Sequence, residues 1–247
     1  ITHCSYYVLA PMANSGNTGG NNNTCGANLS WEFDETTKVL TISGTGPMQD
    51  FTLDGNRYGA KATDTPWRDI QHRILEIVIE SGVTTVGRGA FSGMEQLIVV
   101  SLPNTLASIG DFAFHADTSL KALDIPDGVT YLGKYALCCC PNLVTVSLPN
   151  GITEITTSLF DQTWPNAITI PAAVTTVGSK AFAYGSIGEI VFTGNAPTFA
   201  DDAFHSQTTT VRYPKNNDTW TDAVKQNYGG NITWVADDAT LSTPDIG

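Results

Sequence analysis

The chain has 247 residues, and its 12 basic and 24 acidic side chains give a formal net charge of −12. Binding to a phosphate backbone needs clustered cations, so this balance argues against a nucleic acid partner. Hydrophobic residues make up 41% of the chain and charged residues 15%, a composition that predicts a sizeable core in a β-rich, secreted protein. The densest apolar run, from Ile74 to Ile79, is interrupted by Glu76 and is far shorter than the roughly 18 apolar residues that a membrane-spanning helix needs.

The two ends of the chain are too polar to form a core of their own. Residues 1–24 are rich in Asn, Gly, Ser and Thr, and residues 237–247 are similar, so we predict a flexible linker and a flexible tail. Between them we expect an N-terminal capping region over 25–73, repeats over 74–213 and a C-terminal cap over 214–236. Cys4 lies in the linker and Cys25 follows it. Under oxidising conditions we predict a disulfide between these two cysteines.

The segment before the repeats alternates apolar and polar residues. Leu29, Trp31 and Phe33 alternate first, Leu40 and Ile42 alternate later, and polar residues separate the two runs. This pattern predicts a β-hairpin that covers the N-terminal end of the core. The segment after the repeats carries three large aromatic residues, which predict a compact C-terminal cap: Trp220, Tyr228 and Trp234.

A unit of 22 or 23 residues recurs through the middle of the chain. Each unit begins with two apolar residues separated by one residue, which predicts a strand with one buried face. The first of these two positions holds Ile77, Val100, Leu123, Val146, Ile168 and Ile190. A proline follows the strand in four units, where the missing N–H ends the ladder of hydrogen bonds.

The second half of each unit has further apolar columns. Two of them lie three residues apart, as at Val129 and Leu132, and a glycine usually follows the second. A small residue and then an aromatic residue come next, as at Ala113 and Phe114. We predict a short helical turn here, with the Phe rings stacked along the axis of the molecule.

A unit of this size can bury its apolar columns only against neighbouring copies of itself. We therefore predict an α/β solenoid, a right-handed coil of six to seven repeats. A parallel β-sheet should form one side and short helical turns the other, with the β-hairpin as N-terminal cap.

The repeat unit L-x-x-L-x-I-P-x-x-V-T-x-L-G-x-x-A-(F/L), at Leu120 to Leu137, resembles the BspA-like class of bacterial leucine-rich repeat. The segments around Cys25 to Met48 and Trp220 to Trp234 are similar to the caps of these proteins. The resemblance implies a secreted or surface-attached bacterial protein that contacts host or microbial partners, and it implies no catalytic residues. The fourth repeat departs from the pattern, with Thr156 in the glycine column.

None of the common catalytic constellations is present in the sequence, so we predict no enzyme activity, no cofactor and no metal site. The four histidines are dispersed, and we expect them on the surface. His115 and His205 occupy the same repeat position, but four repeats place them roughly 20 Å apart at ~4.8 Å per coil.

Three consecutive cysteines, Cys138, Cys139 and Cys140, lie in the third unit of the series. Cys140 falls in the repeat column of Met94 and Asp117, which predicts a buried thiol that fills space. A reactive or metal-binding role is the alternative. Adjacent cysteines fit one zinc ion poorly, which argues against it.

The outward-facing strand positions form the candidate partner-binding face. These side chains are small and none is aromatic, so the face lacks a platform for sugar rings and is suited to a flat protein surface. A role limited to β-packing is the alternative. We refer to these positions as the outward strand row: Val78, Ser101, Asp124, Ser147, Thr169 and Val191.

We predict a non-catalytic extracellular module for protein–protein interaction or adhesion at the bacterial surface, either secreted or attached to the cell. Its partner would be a host or microbial protein. The alternative is a structural spacer or accessory module of a larger secreted or surface enzyme.

Overall fold

The computed structural model describes residues 23–55 and 59–237. The repeats form a β-solenoid of about seven coils in which parallel strands dominate and helix is almost absent. Equivalent residues of successive coils pair in register, for example Ile77 with Val100 and Leu123 with Val146. The predicted parallel solenoid is therefore confirmed.

The first strand of each coil belongs to a series that we call the first ladder. Its strands pair in parallel within three hydrogen-bonded blocks, and their inward side chains form one wall of the core. The strands are Val39–Gly44, Glu76–Ile79, Val99–Ser101, Ala122–Asp124, Thr145–Ser147, Ala167–Ile170, Glu189–Phe192, Thr208–Pro214 and Asn231–Asp237.

A second series of short parallel strands, the second ladder, forms where the sequence predicts only an inward turn of the chain. Most of its members have two residues, of which the second points into the core, as Ile109 and Leu132 do. The strands are Gly46–Pro47, Val83–Val86, Ser108–Ile109, Tyr131–Leu132, Glu154–Ile155, Thr176–Val177 and Thr198–Phe199.

The N-terminal cap contains the predicted hairpin. Leu29–Phe33 pairs antiparallel with Val39–Gly44, which then pairs in parallel with Glu76–Ile79 and so starts the first ladder. Thr24–Gly26 adds an antiparallel strand at the outer edge of the hairpin. The Asp34 carboxylate accepts hydrogen bonds from the backbone N–H groups of two hairpin residues, and these bonds lower the pKa of Asp34. The remaining cap elements are the strands Leu53–Asp54 and Lys61–Ala62 and the 3-10 helix Arg68–Arg73.

The predicted helical turns, and with them the α/β class, are wrong. The third side of each coil is instead a run of turns with two residues in the left-handed conformation, such as Phe112 (φ 57°) and Ala116 (φ 59°). Between these residues the N–H of Phe114 donates to the carbonyl of Ala136 in the next coil, at 2.9 Å. A helix needs these N–H groups for bonds within one coil, and a left-handed residue breaks a right-handed helix. We call these two left-handed positions the first and second corners.

The predicted stack of aromatic rings along the axis is confirmed. Ring centroids lie 5.4 Å apart for Trp67 and Phe91 and 5.5 Å apart for Phe91 and Phe114. A second segment of the stack joins Phe160, Phe182 and Phe204, with centroid distances of 5.9 and 5.2 Å. Leu137 occupies the column between the two segments and interrupts the stack.

The glycine column after the second ladder allows neighbouring coils to approach closely. A Cβ atom on Gly133 would lie 2.3 Å from the backbone nitrogen of Asp111 in the preceding coil, a distance that real Cβ atoms do not reach. In the next coil Thr156 replaces the glycine, and its buried hydroxyl donates to the carbonyl of Gly133 at 3.0 Å. The departure of this repeat from the pattern thus provides a hydrogen bond between coils.

At the C-terminal end, the three predicted cap aromatics pack around Phe199. The ring of Tyr228 stacks on Phe199 at 4.7 Å, while Trp220 and Trp234 lie at 6.4 and 6.0 Å. The strand Asn231–Asp237 then extends the first ladder by one parallel strand. Over the described ranges, 23–55 and 59–237, no helix has the length and apolarity to span a bilayer.

Candidate functional site

The outward strand row lies on the solvent face of the first ladder. Ser101, Asp124, Ser147 and Thr169 are exposed, whereas the two valines at its ends are half-buried. Pairing in register places neighbouring members side by side, as with Asp124 and Ser147. The sheet therefore holds these side chains in a straight line, and a role of this row in binding stays a prediction.

A set of exposed apolar residues adjoins this row at the amino ends of the strands. We call it the apolar rim: Leu75, Ile98, Val99 and Val144, whose exposed fractions are 38, 37, 45 and 43%. The N–H of Ile98 donates to the carbonyl of Leu75 at 2.8 Å, so these two residues lie on adjacent coils. Lys121 takes the same place on the coil between Ile98 and Val144.

The apolar rim was not predicted from the sequence, because its positions are not apolar in every unit. Residues 75, 98 and 144 precede the strand, and other units have Lys121 or Asn166 at this position. The available signal was an apolar residue outside every core column. Several neighbouring apolar side chains in contact with water are typical of a surface that a partner covers.

Ionisable side chains are scarce in the outward strand row. Asp124 is the single ionisable side chain in the outward strand row. Nucleophilic or acid–base catalysis needs two or more such groups within hydrogen-bond reach of each other. The row and the apolar rim offer hydroxyl and apolar groups on a rigid sheet instead.

The histidine and cysteine predictions have different outcomes. His115 is wholly buried, so its predicted surface position is wrong, whereas His205 is half-buried. Cys140 is a buried thiol as predicted, with its sulfur 3.1 Å from the carbonyl oxygen of Phe114. Cys25 is buried in the N-terminal cap, which raises the pKa of its thiol to about 12. Its predicted disulfide partner, Cys4, lies outside the described residues.

One group of side chains in the described chain has the composition of a metal-binding site. A ring nitrogen of His115 and the sulfurs of Cys138 and Cys139 all lie within 4.8 Å of one another. His115 and Cys138 are buried and Cys139 is half-buried. The hydrogen bond with the Cys139 thiol and then burial raise the pKa of Cys138.

The structure also explains why His115 is buried. It stands in a column with Ser92, Cys138, Asp161 and Ala183, and all five side chains point into the solenoid. Alignment of the repeats in the sequence places Cys138 and Ala183 in the same column as His115. Their small, apolar character was the available signal that this column is internal.

Comparison with known proteins connects this fold to a family. Residues 71–187 match six copies of the BspA type leucine-rich repeat region. No curated protein matches the chain.

Three solved structures of bacterial proteins are similar to the chain. A leucine-rich cell surface protein from Faecalibacterium prausnitzii A2-165 is 18% identical over 84% of this chain and 72% of its own, with a TM-score of 0.44. The pneumococcal vaccine antigen PcpA is 14% identical over 86% of this chain and 70% of its own, with a TM-score of 0.49. A leucine-rich repeat protein from Eubacterium ventriosum ATCC 27560 is 24% identical over 75% of this chain, with a TM-score of 0.43, and the chain spans 42% of that protein.

Leucine-rich repeats are a fold typical of protein–protein interaction, and this family is generally non-catalytic. The matched repeats, the parallel ladders and the stacked core columns together identify residues 71–187 as a BspA-type leucine-rich repeat region.

Proposed function

We propose that the chain is a non-catalytic, extracellular interaction module that binds a protein partner at the bacterial surface. The observation that carries this proposal is the apolar rim beside the outward strand row. Four apolar side chains, each more than a third exposed, line the edge of a rigid sheet, and the neighbouring outward strand row has small side chains that include three hydroxyl groups. Such a surface gains free energy when a flat partner excludes water from it.

The geometry suits a partner that contacts several coils at once. Apolar side chains at the rim would contribute to the affinity, because removing apolar surface from water is favourable. The small side chains of Ser101, Ser147 and Thr169 would let the partner's backbone approach the sheet closely. Leucine-rich repeat relatives act at the cell surface, which supports the extracellular part of the proposal.

The test uses two variants of the proposed face and one control. Ser147→Arg places a bulky cation in the outward strand row, and Val144→Glu places a charge in the apolar rim. Thr153→Arg changes an exposed residue next to the second ladder and is the matched control. Each tagged protein is immobilised and exposed to host mucosal extract, and captured proteins are quantified by mass spectrometry.

We expect a defined set of proteins to be captured by the parent chain and by Thr153→Arg. Capture by each of the other two variants should fall at least fivefold, which corresponds to about 1 kcal/mol. All variants should retain the parent melting temperature, because the changed side chains lie outside the core. Equal capture by all four proteins, or no specific capture by the parent chain, would contradict the proposal.

A further inference from the structure

His115 is a buried histidine whose polar atoms have no hydrogen-bond partner. Its side chain is 0% exposed, and neither Nδ1 nor Nε2 makes a hydrogen bond. Its ring is in edge-on contact with Phe112, with the centroids 5.4 Å apart. A neutral imidazole has one N–H donor and one lone-pair acceptor, and leaving both unsatisfied away from water is unfavourable. A ring nitrogen of His115 is therefore available to bind a metal ion.

The two cysteines of the next coil provide thiols at the same place. Consecutive side chains of an extended strand point to opposite sides. Cys139, however, occupies the left-handed second corner with a φ of 63°, and its sulfur lies 3.3 Å from that of Cys138. The corner therefore overcomes the poor fit of adjacent cysteines to one ion. The ligand atoms of all three residues lie within 4.8 Å of one another.

We propose that His115, Cys138 and Cys139 bind a zinc ion. Two sulfurs bound to a tetrahedral Zn²⁺ at 2.3 Å lie about 3.8 Å apart, so the observed 3.3 Å needs only a small side-chain rotation. Imidazole and thiolate ligands favour Zn²⁺ over the oxygen-preferring Ca²⁺ and Mg²⁺. On binding, each thiol loses its proton to solvent, and the two thiolate charges balance the charge of the ion.

We assign the fourth ligand position to Asp161 after a movement of its side chain, because its carboxylate is outside the group of atoms that lie within 4.8 Å of one another. This residue follows Cys138 in the buried column, one coil further along, and its carboxylate is wholly buried. The N–H of Cys139 donates to the backbone carbonyl of Asp161 at 2.8 Å, so the two chain segments are adjacent. Cys139 is half-buried and provides the side from which an ion reaches the site.

Packing alone does not require these residue types. Ala183 fills the column of His115 and Cys138, and Ala116 occupies the corner of Cys139 with nearly the same φ, 59°. The core thus accepts alanine at equivalent places elsewhere in the same solenoid. A metal ion here would join adjacent coils at the point where Leu137 interrupts the aromatic stack.

The repeat columns supply well-matched variants. His115→Ala and Cys138→Ala copy Ala183, and Cys139→Ala copies Ala116, so each should fold. His205→Ala removes the half-buried histidine from the same column and is the control. The full chain is reduced, stripped of metal with a chelator and titrated with Zn²⁺ alone in a calorimeter. Co²⁺ is added to a parallel sample, because thiolate-to-cobalt absorption and tetrahedral d–d bands report the ligand set directly.

We expect one Zn²⁺ per chain, thiolate–cobalt absorption, and a higher melting temperature with zinc than without it. Each of the three ligand variants should bind zinc at least tenfold more weakly and lose the cobalt absorption, whereas His205→Ala should match the parent chain. Several outcomes would overturn the proposal: no stoichiometric binding, unchanged affinity in the ligand variants, or a Cys138–Cys139 disulfide that persists in reductant.

Discussion

Removal of one ring from the aromatic stack tests how much the axial core stabilises the solenoid. Phe182 is 0% exposed and lies between Phe160 and Phe204. Truncation to alanine loses about 2–3 kcal/mol of apolar transfer free energy. A cavity of about 100 Å³ adds about 2 kcal/mol at 24 cal/mol per Å³. Phe182→Ala should therefore destabilise the chain by about 4–5 kcal/mol, a large share of the stability of a typical domain.

The matched control is Phe182→Leu, because Leu137 fills the same column two coils nearer the N-terminal cap. A leucine keeps most of the apolar volume and should cost about 1–1.5 kcal/mol. Urea denaturation, followed by circular dichroism and by the fluorescence of the tryptophans, gives both free energies of unfolding. A loss below about 2 kcal/mol for Phe182→Ala, or equal losses for the two variants, would refute the reasoning.

Three further predictions concern the glycine column, the cap and the cysteines. Gly133→Ala should destabilise the chain by about 2 kcal/mol or more in urea denaturation, because its Cβ would lie 2.3 Å from backbone atoms. Gly151→Ala should be nearly neutral, because the atom nearest to its Cβ would be 3.4 Å away. The pKa of Asp34 measured by NMR should lie below the usual Asp range, because backbone N–H groups stabilise its charged form. The stability that Asp34 adds to the hairpin is present above the unfolded-state pKa and is lost as pH falls through the folded-state pKa. After chelation, thiol counting under denaturing, non-reducing conditions should find three free groups if Cys4 and Cys25 are bonded, and five would contradict that disulfide.

The sequence predicted the solenoid well because its period is visible in the apolar columns. Each inward position of the first ladder, from Ile77 to Ile190, is buried as its alternation indicated. The second ladder escaped prediction because its strands have only two residues, too few for alternation to be recognised. Only stacking between coils makes such segments strands, and stacking is not a property of one repeat.

The helical turns were predicted wrongly for a related reason. Left-handed residues are usually glycine, yet Phe112, Tyr135 and Lys180 take this conformation at the first corner. Hydrogen bonds to neighbouring coils offset the local strain, and a pattern search within one repeat cannot detect them. The His115 cluster was missed likewise, because Cys138 and Cys139 meet His115 only when one coil lies on the next.

The hydrogen bonds at the corners of the solenoid all point in one direction along its axis. At these corners the N–H of one coil donates to a carbonyl of the following coil, as from Ala116 to Cys138. The corner amides of each coil are thus satisfied by the coil that follows it. In the last coil the N–H of Ser206 donates instead to the carbonyl of Gly229 in the C-terminal cap. Removal of the C-terminal cap would therefore leave the corner amides of the last coil without their acceptors.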